Sequence, residues 1–126
     1  MKLTRVVVLV LAFFGAASQV LATNDVTVSA APGTSSGSIN VSGTVSADSS
    51  WTPSSSITVT LWQDGCQVTT ATITLTSSGC LTWTYNQDVT GLTSGAAYTI
   101  TGDVTFSSCG QCPQIIRTQP TTSSAK

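Results

Sequence analysis

The chain of 126 residues contains no histidine and no glutamate, and only 7% of it is charged. Without histidine there is no Ser-His-Asp or Cys-His arrangement for nucleophilic catalysis. A zinc site would lack imidazole ligands, and Cys66 and Cys80 are too far apart in sequence to form a second knuckle beside Cys109 and Cys112. The carboxylates are the scattered aspartates Asp25, Asp48, Asp64, Asp88 and Asp103. Paired acids of the glycosidase type would need a meeting in space, for example of Asp64 with Asp88, and turn or surface aspartates are the simpler reading. Four basic residues cannot supply the clustered phosphate contacts that nucleic acid requires. No stretch after residue 22 is long and apolar enough to span a membrane. These gaps argue for a protein that is not an enzyme and that uses no metal or cofactor.

The first 22 residues differ from the rest. Lys2 and Arg5 precede an apolar run, Val6–Phe14, and small residues then lead to Val20-Leu21-Ala22. This is the pattern of a secretory signal peptide, with cleavage expected between Ala22 and Thr23. The run is shorter than the roughly 20 residues of a spanning helix. No cysteine follows the cut, so a lipoprotein anchor is not indicated. Residues 23–126 are therefore expected outside the cell, or in the periplasm of a Gram-negative bacterium, without membrane insertion after cleavage. Their partner would be a protein or a glycan at the cell exterior.

What the exported part does have is hydroxyl groups. Residues 23–126 hold 22 Thr and 18 Ser, with a formal charge of −3. Val, Ile and Leu recur among them, so a folded domain rather than a disordered chain is expected. Branching at Cβ favours the pleated sheet over the helix. Apolar and polar residues alternate at the strand period. Strands are expected at 25–29, 38–46, 57–62, from Asp64-Gly65 to about Thr76, at 80–88, 97–107 and 114–118. Inward residues include Ile57, Val59 and Leu61; Leu81, Trp83 and Tyr85; and Tyr98, Ile100, Val104 and Phe106. Asp64-Gly65 is a strong two-residue hairpin signal. Gly43, inside a strand, marks a bulge or a close approach of another backbone. Loops are expected at 31–37 and 47–56. About seven short antiparallel strands with regular turn signals predict an all-β, two-sheet sandwich. It would occupy residues 23–119, with 120–126 as a polar tail.

The stretch Leu92-Thr93-Ser94-Gly95-Ala96-Ala97-Tyr98-Thr99-Ile100 resembles the corner between strands E and F of fibronectin type III domains, with Ser94 where proline is usual. The resemblance implies an immunoglobulin-like sandwich with strand order A-B-C-C′-E-F-G. It also implies that Leu92 plugs the core end and that the Tyr98 hydroxyl bonds back to the backbone near the corner, with Gly95 inside the turn. The tryptophan usual in strand B is absent; Gly43 stands there, and Trp83 is placed to fill the space.

Export and an even count suggest that Cys66, Cys80, Cys109 and Cys112 form two disulfides. Cys109–Cys112 is easily closed through a Gly110-Gln111 turn. Cys66–Cys80, the complementary pair, would have to span a strand about 30 Å long; the favoured set is still Cys109–Cys112 with Cys66–Cys80, which requires a less regular hairpin between them, and the pairing is left open. A redox role for the Cys109-to-Cys112 motif lacks the usual helix N-terminus. Trp51, in a loop, and Trp62, pointing away from Leu61, are the candidate binding residues, by stacking on sugar rings. The plainer reading is that each covers a sheet edge. Asn40-Val41-Ser42 is a glycosylation sequon with Asn40 outward. The expectation is a secreted structural, adhesive or recognition module. The alternatives are a carbohydrate-binding module and, less favoured, a thiol redox protein.

Overall fold

The computed structural model describes residues 23–126. The expected signal peptide, residues 1–22, lies outside the described residues. The strand pieces are β1 (Asp25–Val26), β2 (Ser29–Pro32), β3 (Ile39–Ser46), β4 (Thr52–Pro53), β5 (Ser56–Gln63), β6 (Cys66–Thr74), β7 (Thr76–Ser77), β8 (Thr82–Val89), β9 (Ala97–Ser107), β10 (Gln114–Arg117) and β11 (Thr121–Ser124). They form two antiparallel sheets. In the first, β3 lies between β8 and the β1/β2 edge, and β7 pairs with the far side of β8. In the second, the order is β6-β5-β9, with β10 and β11 along the other side of β9 and β4 beside its end. The fold is an all-β sandwich, with no helix among the described residues.

The alternation in sequence explains the core. Ile39, Val41, Val45, Tyr85 and Val89 of the first sheet bury against Ile57, Val59, Leu61, Ile73, Ile100, Val104 and Phe106 of the second. Each strand puts every second side chain inward, and removal of those apolar surfaces from water drives the two layers together. Asp64 (φ 53°) and Gly65 (φ 78°) are both left-handed, which closes the β5–β6 hairpin with the twist that its strands need.

Of the four pieces beyond the expected seven, β4 and β7 are short separate pairings and the other two result from interruptions. β1 and β2 keep one continuous register on β3, from Asp25↔Ser46 to Pro32↔Ile39. Between them the Thr27 carbonyl turns inward to accept the Tyr85 hydroxyl at 2.6 Å. The Thr44 N–H, which that carbonyl would otherwise bind, donates to Thr27 Oγ1 at 3.0 Å. The same substitution recurs across the sandwich. Gly102 N–H donates to Thr118 Oγ1 at 3.0 Å, while Thr118 N–H donates to the Gly102 carbonyl at 2.9 Å. The register on β9 slips by one residue between β10 and β11 at this point.

Several expectations are corrected. The 31–37 loop is shorter, because β2 extends through Pro32. The 47–56 loop contains β4 and the start of β5. The strand expected to reach Thr76 ends at Thr74, and Thr76-Ser77 crosses to the other sheet as β7. Leu81 is not inward: it precedes β8 and is 37% exposed. Residues 121–124, within the polar tail expected outside the sandwich, pair with Ala97–Ile100 through backbone bonds and so belong to the second sheet. Ala125 is buried, and the Lys126 main-chain oxygen accepts the Gly37 N–H at 2.6 Å and the Ser94 hydroxyl at 2.8 Å.

Candidate functional site

The outer face of the second sheet presents rows of hydroxyls. Thr72, Thr58 and Asp103 align across three strands, followed by Arg117 on β10. Thr70, Thr60 and Thr101 form the next row, and Gln67, Trp62 and Thr99 the one after. Thr60 and Thr101 are buried although they lie on this outer face. Trp62 is half-buried, and its indole Nε1–H donates to Thr101 Oγ1 at 3.0 Å. The ring is thereby drawn over the face toward β9 and fixed at its polar tip. One row further along, Arg117 Nε and Nη2 donate to the two Asp103 oxygens at 2.8 and 3.0 Å. That bidentate bond and the Asp103 charge raise the Arg117 pKa and leave the face without net charge. Ile115, 69% exposed, lies beside Thr105.

Trp51 does not share this site. It is half-buried, packs on the core and lines a cleft of about 220 Å³ with Asn24, Asp48, Gln114 and Ile116. Thr52 pairs with Ser107 at one end of β9, whereas Trp62 pairs with Thr99 near the other. The two candidate binding tryptophans are therefore at opposite ends of β9. A wider open groove of about 550 Å³ is lined by Ser42, Thr44, Thr76, Thr84 and Asn86 of the first sheet and by Thr74 of β6.

The corner is a structural site. Tyr98 is 3% exposed, and its hydroxyl accepts the Thr93 N–H at 2.9 Å. Gly95 has φ 80°, which disfavours a side chain there, and Leu92 packs against the core.

The two expected disulfides are absent: Cys66, Cys80, Cys109 and Cys112 are all free and exposed. Cys66 opens β6 at the hairpin end, while Cys80, Cys109 and Cys112 lie in loops at the opposite end, which separates the first from the rest by the length of the strand. Gln111 N–H donates to the Ser108 carbonyl at 3.2 Å with Gly110 at φ 78°. Cys109 thus sits in a turn between two strands, where no helix dipole stabilises a thiolate. Among the described residues no cluster of three metal-ligating side chains occurs.

Asp88 is held by Thr34 and Asn40. Asp88 accepts the Thr34 N–H at 3.0 Å, the Thr34 hydroxyl at 2.7 Å and an Asn40 amide N–H at 2.9 Å. These bonds, the Thr34 backbone bond foremost, lower its pKa. The Asn40 side-chain amide also donates to Asn86 Oδ1 at 2.8 Å, so the sequon nitrogen is committed to one carboxylate and one amide carbonyl.

Sequence reasoning found Trp62 but missed Thr101 and Thr60. The only signal for them is their outward parity, and the β5–β9 register that brings Trp62 to Thr101 joins strands about 40 residues apart. No protein-family model matches the chain, and neither a characterised protein nor a solved structure does.

Proposed function

We propose that the protein is an exported, non-catalytic module of the immunoglobulin-like, fibronectin type III-like class, with a structural, adhesive or recognition role at the cell exterior. The class reading is supported by the Tyr98–Thr93 bond at the corner and by the partition of strands, β1/β2-β3-β8 against β6-β5-β9-β10/β11. The leader-like residues 1–22 support export. The observation that carries a recognition role is Trp62, fixed by Thr101 on a face of hydroxyls that carries no net charge. An indole flanked by hydroxyl donors and acceptors suits the apolar face and the rim of a neutral sugar ring.

The test is binding of the full-length protein to an array of neutral glycans, with Trp62→Ala as the variant. The expected result is binding that falls by about tenfold or more, equivalent to roughly 1.4 kcal/mol. Binding unchanged in Trp62→Ala, or no glycan bound at all, removes the carbohydrate reading and leaves protein partners as the target of the module.

A further inference from the structure

The sandwich has four strand edges, and three of them are blunted. The β1/β2 edge is interrupted at Thr27 and ends at Pro32. β7 is only two residues long, and the part of β8 that it leaves uncovered, Tyr85–Val89, carries Asp88. The β10/β11 edge is offset by one residue, contains Pro120 between its pieces and carries Arg117. Interruption, proline, charge and shortness are the devices by which proteins prevent edge pairing. The fourth edge, β6, lacks proline, charge and shortness; its single irregularity is a bulge at Val68, where the register on β5 shifts between Leu61 and Trp62, and Thr69–Thr74 beyond it pairs regularly. Its nine residues, Cys66–Thr74, form one continuous piece with no charge and no proline.

The register shows which backbone groups this edge offers. Leu75 N–H donates to the Ser55 carbonyl at 3.0 Å. Counted back along the ladder, Ile73 and Ala71 bond to β5 in the same way, opposite Ile57 and Val59. The alternate residues Thr70, Thr72 and Thr74 direct their N–H and C=O groups away from β5, toward the open edge. All three side chains are exposed on the outer face.

We propose that β6 is a self-pairing edge, through which two copies of this chain join antiparallel about a two-fold axis at Thr72. Thr72 then faces Thr72 of the second copy, and Thr70 faces Thr74 in both directions. Each rung gives two hydrogen bonds. The choice of a second copy as occupant rests on symmetry and charge. The three free rungs are evenly placed about Thr72, so an identical strand meets every donor with an acceptor in register. Threonine meets threonine on the outer face, a favourable cross-strand pair, and Ala71 meets Ile73 on the inner face. β6 has no charge to oppose its own image. The interface is isologous and closes at two copies, and the two six-stranded sheets become one, doubling the Trp62 face. This inference stands independently of what that face binds.

The experiment is light scattering of the full-length protein from micromolar to millimolar concentration, with hydrogen exchange on the same samples. The expected result is a mass that doubles with concentration, together with slowed exchange at the Thr70, Thr72 and Thr74 amides. Thr72→Pro removes an N–H that bonds nothing within the monomer. Its two symmetric losses should weaken the dimer roughly 30-fold, at about one hydrogen bond's worth each. Thr72→Lys places like charges face to face and should do the same, while the far-ultraviolet dichroism of both variants stays that of the parent. With the four native cysteines changed to Ser, Thr72→Cys should form a disulfide with its own image, and Thr99→Cys, on an interior strand, should not. A monomer at every concentration overturns the proposal. So does a dimer that persists in both Thr72 variants without the Thr72→Cys link, because pairing then uses another surface. Slowed exchange in a chain that stays monomeric and purifies with a bound peptide also overturns it, and assigns the edge to another protein's strand.

Discussion

The Tyr85 hydroxyl reaches past Gly43 to donate to the Thr27 carbonyl at 2.6 Å, tying β8 to the edge strand beyond β3. Tyr85 and Gly43 are direct cross-strand partners, and a Cβ on Gly43 would lie 2.6 Å from the tyrosine oxygen and collide with the Thr27 carbonyl. The glycine is thus the space through which the bond passes. Gly43→Ala is expected to destabilise the fold by about 2–4 kcal/mol, as a steric clash and a lost buried bond together. Tyr85→Phe, which keeps the ring, should cost less, about 1–2 kcal/mol. Urea melts of the two variants check the order; equal stability of Gly43→Ala and the parent would contradict this role for the glycine.

Burial raises the Tyr85 pKa above the ordinary tyrosine value near 10. The folded state therefore holds this proton more tightly than the unfolded state. The associated stability is complete below about pH 10, where both states are protonated, and is lost as pH rises through the folded value. The expected outcome is a melting temperature that declines from about pH 10 upward, with a shallower decline in Tyr85→Phe. Thermal melts between pH 8 and 12 measure the difference of slopes.

At the corner, Tyr98→Phe leaves the Thr93 N–H without its acceptor. A loss of about 1–2 kcal/mol is expected. On the other side of the second sheet, Thr118→Val removes the acceptor of the Gly102 N–H in a buried place, for a similar or larger cost. Chemical denaturation of each single variant and of the pair tests both; the two sites share no partner, so their effects should add.

The layers of the sandwich were legible because each long strand buries one face. Ile57-Val59-Leu61 and Tyr98-Ile100-Val104-Phe106 alternate as inward residues must, and all are buried. Asp64-Gly65 was legible because few residues tolerate two left-handed positions in succession. The strand interruptions were not. Thr27 and Thr118 read as two more β-branched residues, and nothing local says that their hydroxyls replace a carbonyl in the ladder. Residues 121–124 have no apolar side chain to signal a strand; the backbone of β9 orders them. For the candidate site, Trp62 was visible by its parity, but its partner Thr101 depends on long-range register. The separation of Trp51 from Trp62 follows from the same register.

Asp88 supplies an acid-side prediction. Its hydrogen bonds to Thr34 and Asn40 favour the carboxylate, so its folded pKa is lowered. The stability that this provides is present above the unfolded aspartate value near 3.9 and is lost as pH falls through the lower, folded value. The parent should lose melting temperature below about pH 4 more steeply than Asp88→Asn, and the two curves should draw together as pH falls through the folded value. Parallel curves across that range would show that the Thr34–Asp88–Asn40 cluster does not contribute through its charge.

The cysteines give the last test. All four are exposed and none is bonded to another. A native disulfide in a small exported domain typically contributes about 2–5 kcal/mol, whereas exposed side chains without partners usually matter by less than about 0.5 kcal/mol. Replacing Cys66, Cys80, Cys109 and Cys112 together by Ser should therefore leave the denaturation midpoint nearly where it was. The unreduced parent should react with a thiol reagent at all four positions without denaturant. A quadruple variant that melts far below the parent, with two or four thiols protected in the parent, would show that disulfides carry part of the stability. Cys109–Cys112, whose ends flank the Gly110 turn, would be the first pair to map by peptide mass under non-reducing conditions, because the length of β6 sets Cys66 apart from the other three.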